Sequence, residues 1–490
     1  MLKGFNQFIQ RHWFIVILVI IGAFLRLYRL EAALQFLGDQ GRDAIVLRNM
    51  LVFHDLPFIG PTTSVGNFFL GPFYYYLMAP FLLLSNFNPV GPAIANAFIG
   101  IITIPVIYLV TKKMLSVYAA QLAALLYTFA AIPISQTRST WNPNPMPLVA
   151  LGIIFGFFNA KKTKKASWLY LSALSLGIAL QLHYMIVFLG PFILWQLVSI
   201  FQQKKLKKFL PLWVVIIIFT MLPLILFEFK NNFINVKGIL DYLNKYDSQA
   251  INIWNQFRHL KGRSEQAIGM LLGFGEPYTI LREWLTRLIW LPALYLLFKK
   301  PSLGLKTITL WLFLTIVTIT FFHGRIPAYY LGFIFPAVFI LTAYLLSLLK
   351  AKLKLITLAF FAIFLFYNSK TLYHDLSQTG NLKSVKTTAQ FIKADIDENG
   401  HLNYNLSLLD GTKDYKGYSF RYYLEVFGGH PLGIDEYPKT NVLYVISPYI
   451  HDPKEVLNNP IWEINSLTPS KITKVWEFQG SENIYKIERL

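Results

Sequence analysis

The sequence predicts an α-helical multi-pass membrane protein carrying a small extracytoplasmic α/β domain at its C-terminus. Three observations lead there. Of 490 residues, 55% are hydrophobic and only 14% charged, whereas an ordinary soluble domain carries roughly 25% charged residues. The net charge is +20, and it is unevenly distributed. Long apolar runs alternate with short lysine clusters up to about residue 368, after which the composition becomes that of a soluble domain. A basic balance alone would suggest nucleic acid, but a surface that binds nucleic acid is wet and polar, so no nucleic-acid partner is expected. The chain contains no cysteine, which excludes disulfide scaffolds, Cys-type zinc sites and thiolate catalysis.

The charge asymmetry sets the expected domains and topology. Residues 369–490 hold 13 Lys+Arg and 15 Asp+Glu, and residues 1–368 hold 32 bases against 10 acids. The boundary is therefore placed near Ser369: a transmembrane domain over 1–368, with outer loops 31–91 and 228–283, and a soluble extracytoplasmic α/β domain over 369–490. Lys3 and Arg11, Lys112-Lys113, Lys161–Lys165, Lys204–Lys208, Lys299-Lys300 with Lys306, and Lys350–Lys354 form segments without an acid. The positive-inside rule assigns them to the cytoplasm. The acids, Glu31, Asp39, Asp43, Asp55, Glu228, Asp241, Asp247, Glu265, Glu276 and Glu283, all fall in the other loops.

A spanning helix needs about 20 apolar residues. Eleven candidate spans result: 13–30, 92–111, 115–132, 146–160, 167–182, 185–201, 209–227, 284–298, 305–322, 328–348 and 355–369. The N-terminus is then inside and the tail outside. The first span lacks a small-residue cleavage site and reads as an anchor. Residues 68–84 are apolar enough to span, but a crossing there would reverse every later lysine cluster. The Gly71-Pro72 break and three consecutive tyrosines fit an interfacial or re-entrant helix. In the tail, 383–397 and 418–427 have helical patterns, Leu406–Leu409 and Val442–Ile446 are strand-like, and 474–478 with 483–487 form a hairpin around Gln479-Gly480.

The outer loop 31–67 holds the main chemical candidate. If a helix starts at Asp39, then Asp39 and Asp43 share a face and Arg42 lies close to it. A carboxylate there can take a proton from a hydroxyl, and a guanidinium can hold a phosphate bidentately. The alternative is an N-cap by Asp39 with a surface ion pair. Arg138, Trp141 and Asn142, in a second outer loop that also holds Asn144, suit a sugar-phosphate head group, or equally an interfacial tryptophan in a proline-rich turn. His183 and Tyr184 sit at an outer turn, as cavity lining or as structural residues. Lys261 and Arg263 lie in the long loop 228–283, which forms either a lid or a solvated amphipathic helix. His323, Arg325, Tyr329 and Tyr330 end another span, as head-group contacts or interface anchors. There is no Walker loop, GxGxxG, HExxH or GxSxG, so a nucleotide-sugar donor is not expected. No cofactor and no metal are expected.

Taken together, these segments resemble the integral-membrane C-type glycosyltransferases, in particular the protein O-mannosyltransferase and aminoarabinose-transferase-like group (family 39). Arg26-Leu27-Tyr28-Arg29-Leu30 closes the first helix as in many members. Asp39-Gln40-Gly41-Arg42 falls at the family's acidic motif. Gly71-Pro72-Phe73-Tyr74-Tyr75-Tyr76 resembles its Pro-Pro-Leu-x-Tyr segment, and Tyr329-Tyr330 with Pro336 its late Tyr…Pro helix. The order covers roughly residues 13–345. The chain departs from the family at Gln40, where Glu is usual, at Leu70-Gly71-Pro72, where Lys often precedes the prolines, and at Asn142 and Asn144, where an Asp is common.

The resemblance implies an inverting-type, mannosyltransferase-like transfer at the outer face of the plasma membrane. The donor would be a polyprenyl-phosphate sugar and the acceptor a hydroxyl on protein, lipid or glycan. Asp39 would be the base. Arg42 would bind the donor phosphate, with Arg138, Trp141, Asn142, His183, Tyr74 and Tyr330 as donor contacts and Asp43, Lys261, Arg263 and Arg325 as secondary candidates. The bilayer is the other expected partner. A transporter or flippase for a lipid-linked glycan is the alternative. Against it stand an odd span count and membrane-part acids confined to loops, whereas transporters use paired halves and intramembrane charges.

Overall fold

The computed structural model describes residues 2–490 apart from 64, 65, 67, 247–252, 275–278, 323–325 and 479–481. The chain divides into two units, one comprising 1–30, 56–78 and 92–377, the other 31–55, 79–91 and 378–490.

The first unit is helical. Each of the eleven predicted spans falls on helix: Leu2–Leu27, Val90–Met114, Val117–Phe129 with Ala131–Thr137, Met146–Thr163, Ala166–Leu182, Gly190–Phe201, Leu210–Thr220 with Leu222–Lys230, Thr279–Lys299, Leu303–Ile319, Phe335–Ser347 and Lys354–Ser377. Among the described residues, four helical stretches are long and apolar enough to cross a bilayer, or up to six if each bent pair is one span. The two bent pairs turn by 58° and 62°, at Ala130 ahead of Pro133 and at Met221 ahead of Pro223. A proline removes a backbone donor and frees the helix to bend there. Lysines close several helices, with Lys112 and Lys113, Lys161 and Lys162, and Lys299 in last turns, where cations meet the negative end of the helix dipole. Large apolar side chains point outward, among them Phe298 at 86% exposure and Leu291 at 67%. Such a surface favours hydrocarbon over water.

Residues 68–84 contain one helix, Phe73–Leu84, of 12 residues with Pro80 inside it. At 1.5 Å per residue it extends about 18 Å, short of the ~30 Å hydrocarbon core. The loop 228–283 contains the helices Ile234–Tyr246 and Ile253–Leu271.

The second unit holds a four-stranded sheet of order β1-β2-β4-β3, with β1 Tyr404–Leu408, β2 Val442–Ser447, β3 Ser470–Phe478 and β4 Glu482–Arg489. β1 and β2 are parallel; β2 with β4 and β3 with β4 are antiparallel. The expected hairpin is present as β3 and β4, while Gln479-Gly480 lies outside the described residues. Alternation along the strands gives each face its own partner. Leu443, Val445, Tyr485 and Ile487 pack with Val456 and Ile464. From the other face Tyr444 donates to Asp395 at 2.5 Å and Lys486 to Asp395 at 2.8 Å, which fixes the helix Leu382–Asn399.

The segment 31–55 is built into this second unit. Asn381 accepts from the Phe36 amide at 2.7 Å and donates to the Phe36 carbonyl at 3.3 Å. The Phe36 ring meets Tyr422 and Tyr423 edge-on at 5.6 and 5.8 Å. The helix containing Ser369 runs on unbroken to Ser377, and the last segment of the second unit begins at Gln378.

Candidate functional site

The helix Gly38–Val52 begins at Leu37, whose amide donates to the Gln40 side chain at 3.0 Å. The N-cap position is therefore Leu37, not Asp39, and Gln40 in the first turn accepts from its amide. Asp39 lies one residue inside the helix, in the first turn, where a negative charge suits the exposed amide dipoles.

Arg42 joins the two acids of this turn. Its Nη1 donates to Asp39 Oδ1 at 2.9 Å. Its Nε and Nη2 donate to Asp43 Oδ1 at 3.2 and 3.0 Å. The Asp39 side chain is 54% exposed and that of Asp43 only 11%. Asp43 thus anchors the guanidinium from the buried side, while Asp39, on Nη1, is the more exposed of the two acids.

Two glycines seat this turn on the segment 414–419. A Cβ at Gly41 would fall 2.5 Å from the Tyr418 carbonyl carbon and 2.6 Å from the Ser419 Cα. A Cβ at Gly38 would fall 2.8 Å from the Asp414 Cβ and closer still to its carboxylate. Farther along, Arg48 holds Glu425 at 3.3 Å and the Glu425 carbonyl at 3.0 Å.

Asp414 is the residue the sequence did not single out. Its Oδ2 accepts from the Tyr418 amide at 3.1 Å. Burial pushes its carboxyl up to about 7, with the neighbouring charges of Asp410 and Asp39 acting in the same direction and Arg42 and the Tyr418 amide opposing. The available signal was the polar turn Asp410-Gly411-Thr412-Lys413-Asp414, but nothing in its spacing connects it with residue 39.

The other candidates lie in the first unit, where the structure brings four of the rings into a run. Trp141 stacks on Tyr329 at 5.6 Å and 21°, Tyr329 meets Tyr330 at 4.8 Å, and Tyr330 meets His183 at 4.2 Å. His183 Nδ1 also accepts from the Met185 amide at 3.2 Å. Tyr74 accepts from Asn96 at 2.9 Å, and Asn96 also donates to the Ser139 carbonyl at 3.0 Å. Asn142 donates to the Leu182 carbonyl at 2.6 Å, closing the helix Ala166–Leu182.

Arg138 Nη1 donates to the carbonyls of Leu25, Arg26 and Tyr28 at 3.2, 3.2 and 2.9 Å. Those are orphan acceptors at the end of the first helix. Its Nη2 is buried without a hydrogen-bond partner. Lys261 pairs with Glu283 at 2.8 Å, and Arg263 donates to the Phe322 carbonyl at 3.1 Å. Arg325 and His323 lie outside the described residues. Among the described residues, no three His, Cys, Asp or Glu gather as a metal site.

Residues 70–227 match the family described as dolichyl-phosphate-mannose-protein mannosyltransferase. Among solved structures, the chain is similar to ArnT from Cupriavidus metallidurans bound to undecaprenyl phosphate, at 12% identity over 96% of this chain and 97% of that one, with TM-score 0.63. It is also similar to the oligosaccharyltransferase of Archaeoglobus fulgidus in complex with zinc and sulfate, at 13% identity over 90% and 68%, with TM-score 0.56. The same organism's oligosaccharyltransferase AglB, in complex with an inhibitory peptide and a dolichol-phosphate, matches at 13% identity over 92% and 70%, with TM-score 0.53. No curated protein sequence matches. The resemblance read from the sequence motifs thus holds at the level of fold and over the matched segment.

Proposed function

We propose that the chain is a polyprenyl-phosphate-sugar-dependent, inverting-type glycosyltransferase of the outer face of the plasma membrane. It has eleven spans, an internal N-terminus and an external tail over 369–490. The observation that carries this reading is the Asp39–Arg42–Asp43 group. Two acids compete for one guanidinium: the buried one holds it in place, and the exposed one occupies the edge that a phosphate would take.

The chemistry follows from that competition. A donor phosphate displaces Asp39 from Arg42 Nη1, because a phosphate oxygen accepts the same charge-assisted hydrogen bond. Asp39 is then free to accept the proton of the acceptor hydroxyl. The hydroxyl oxygen forms its bond to the anomeric carbon from the face opposite the phosphate. The carbon–oxygen bond to phosphate breaks, its electron pair stays on the phosphate oxygen, and Arg42 holds the negative charge that develops there. The sugar inverts in this single displacement.

Undecaprenyl phosphate in the ArnT structure and dolichol-phosphate in the AglB structure support a lipid-phosphate carrier here. The family matched over 70–227 supports a mannosyl-type donor. The run Trp141–Tyr329–Tyr330–His183 supports a stacking surface for a sugar ring or isoprenoid, with Tyr74, Asn142 and Arg138 as further donor contacts. Asp43 anchors Arg42, and Lys261, Arg263 and Arg325 are secondary contacts. The test is Asp39→Asn in the full chain, assayed for transfer from a radiolabelled polyprenyl-phosphate mannose. Transfer at the wild-type rate would exclude Asp39 as the base.

A further inference from the structure

We infer that Asp414, on the polar turn preceding the helix Tyr418–Val426, is a positioning residue that sets the charge of the Asp39–Arg42 group and so makes lipid-phosphate binding there depend on pH. The inference rests on the proposed phosphate contact at Arg42.

The geometry comes first. The first turn of the helix Gly38–Val52 can rest on Asp414 only because residue 38 has no side chain, since a Cβ there would overlap the carboxylate. Gly41 repeats the arrangement one turn on, against the backbone of Tyr418 and Ser419. The two glycines bracket Asp39, and Arg42 follows directly on the second. Asp414 is itself held by the Tyr418 amide at 3.1 Å. The carboxyl is thus fixed against the turn that carries the base and the phosphate ligand.

The charged and titratable groups around Asp414 come from four elements. Its own turn contributes Asp410. The helix Gly38–Val52 contributes Asp39 and Arg42, and the helix Tyr418–Val426 contributes Tyr418. The short turn Tyr437–Lys439 contributes Tyr437. Burial with two acids nearby keeps the Asp414 carboxyl protonated to about 7.

The consequence is a count of charges. With Asp414 neutral, two carboxylates surround one guanidinium. With Asp414 ionised there are three, and the added charge repels an incoming phosphate. Acidic conditions therefore favour phosphate capture.

The experiment titrates full-length protein in nanodiscs with undecaprenyl phosphate from pH 5.5 to 8.5, comparing wild type, Asp414→Asn and Arg42→Ala. Taking the ratio of wild-type to Asp414→Asn dissociation constants cancels the ligand's own ionisation. The ratio is expected near one at pH 5.5 and about five at pH 8.5, the effect of one added like charge in a partly screened site. A flat ratio overturns the inference. Arg42→Ala separates the two readings. If it binds as tightly as wild type, the phosphate contact itself is wrong. If it weakens binding while the ratio stays flat, only the role of Asp414 fails. Asp414→Ser, which can still accept from the Tyr418 amide, serves if Asp414→Asn does not fold.

Discussion

Gly41→Ala is the most informative single perturbation of the turn that carries Asp39. In an exposed helix the change would stabilise by about 1 kcal/mol, because alanine loses less backbone entropy. Here the new methyl would stand 2.5 Å from the Tyr418 carbonyl carbon and 2.6 Å from the Ser419 Cα, where ordinary carbon contacts need about 3.5–4.0 Å. The obstacle is backbone at the start of a helix and cannot rotate away, so the Gly38–Val52 helix must retreat by about 1 Å, which strains the Arg48–Glu425 pair and the Phe36 ring contacts. Overpacking of this kind costs typically 1–3 kcal/mol. Since backbone must move, the upper end applies, and a net loss of about 2 kcal/mol remains after the propensity gain. That corresponds to a fall of roughly 4–8 °C in the melting temperature of a unit of this size. Gly38→Ala is the comparison, because the nearest part of its obstacle is the Asp414 carboxylate, which can rotate away at the cost of one hydrogen bond of about 1 kcal/mol, leaving the Asp414 Cβ at 2.8 Å to be relieved by a smaller shift. Thermal unfolding in detergent, followed by intrinsic fluorescence, compares the two. Gly41→Ala should melt below Gly38→Ala and bind undecaprenyl phosphate more weakly. Melting at or above the wild-type temperature for Gly41→Ala would refute the seating of this turn on 418–419.

Further outcomes follow from the same geometry. Asp414 has a folded-state pKa of about 7, above the ordinary carboxylate value near 3.9. Its burial therefore costs no stability at low pH, costs progressively more as pH rises from about 4 to 7, and levels off above. Asp414→Asn should then gain in melting temperature relative to wild type across that window, by an amount worth about 1–2 kcal/mol after allowance for partial solvation. A gain independent of pH would contradict the assignment. Arg42→Lys loses the bidentate hold on Asp43 and should weaken undecaprenyl phosphate binding about ten-fold, as read by the nanodisc titration. Asn381→Ala removes both hydrogen bonds to the Phe36 backbone and should lower stability by about 1–2 kcal/mol, as read by thermal unfolding.

The helical character of the first unit was legible because membrane helices are written in contiguous composition. Apolar runs and lysine clusters are local signals, and each predicted run falls largely on helix. The bends at Ala130 and Met221 were less legible. A proline permits a bend, but packing decides whether it is taken. The Asp39–Arg42 pair was legible from spacing alone, because neighbours one turn apart on a helix must meet. The alternative of an N-cap by Asp39 depended on where the helix starts, and the backbone start after Leu37 places Asp39 inside the first turn instead. Asp414 was invisible, since no local pattern reports a contact between residues hundreds of positions apart. For the same reason a boundary drawn near Ser369 could not anticipate that Asn381 would hold Phe36. The ring run Trp141–Tyr329–Tyr330–His183 stands between these cases. Each residue was visible as a candidate at the outer end of its span, but their meeting was not.

The measurement that bears most directly on the proposed activity is sugar transfer by Asp39→Asn in the full chain, with radiolabelled polyprenyl-phosphate mannose as donor and a membrane glycan extract as acceptor. Asparagine keeps the size of the side chain and can still accept from Arg42, so folding and donor binding should survive. Loss of the base should slow transfer about 10²- to 10⁴-fold with donor affinity near that of wild type. Transfer by Asp39→Asn at the rate of the wild-type protein would contradict the account.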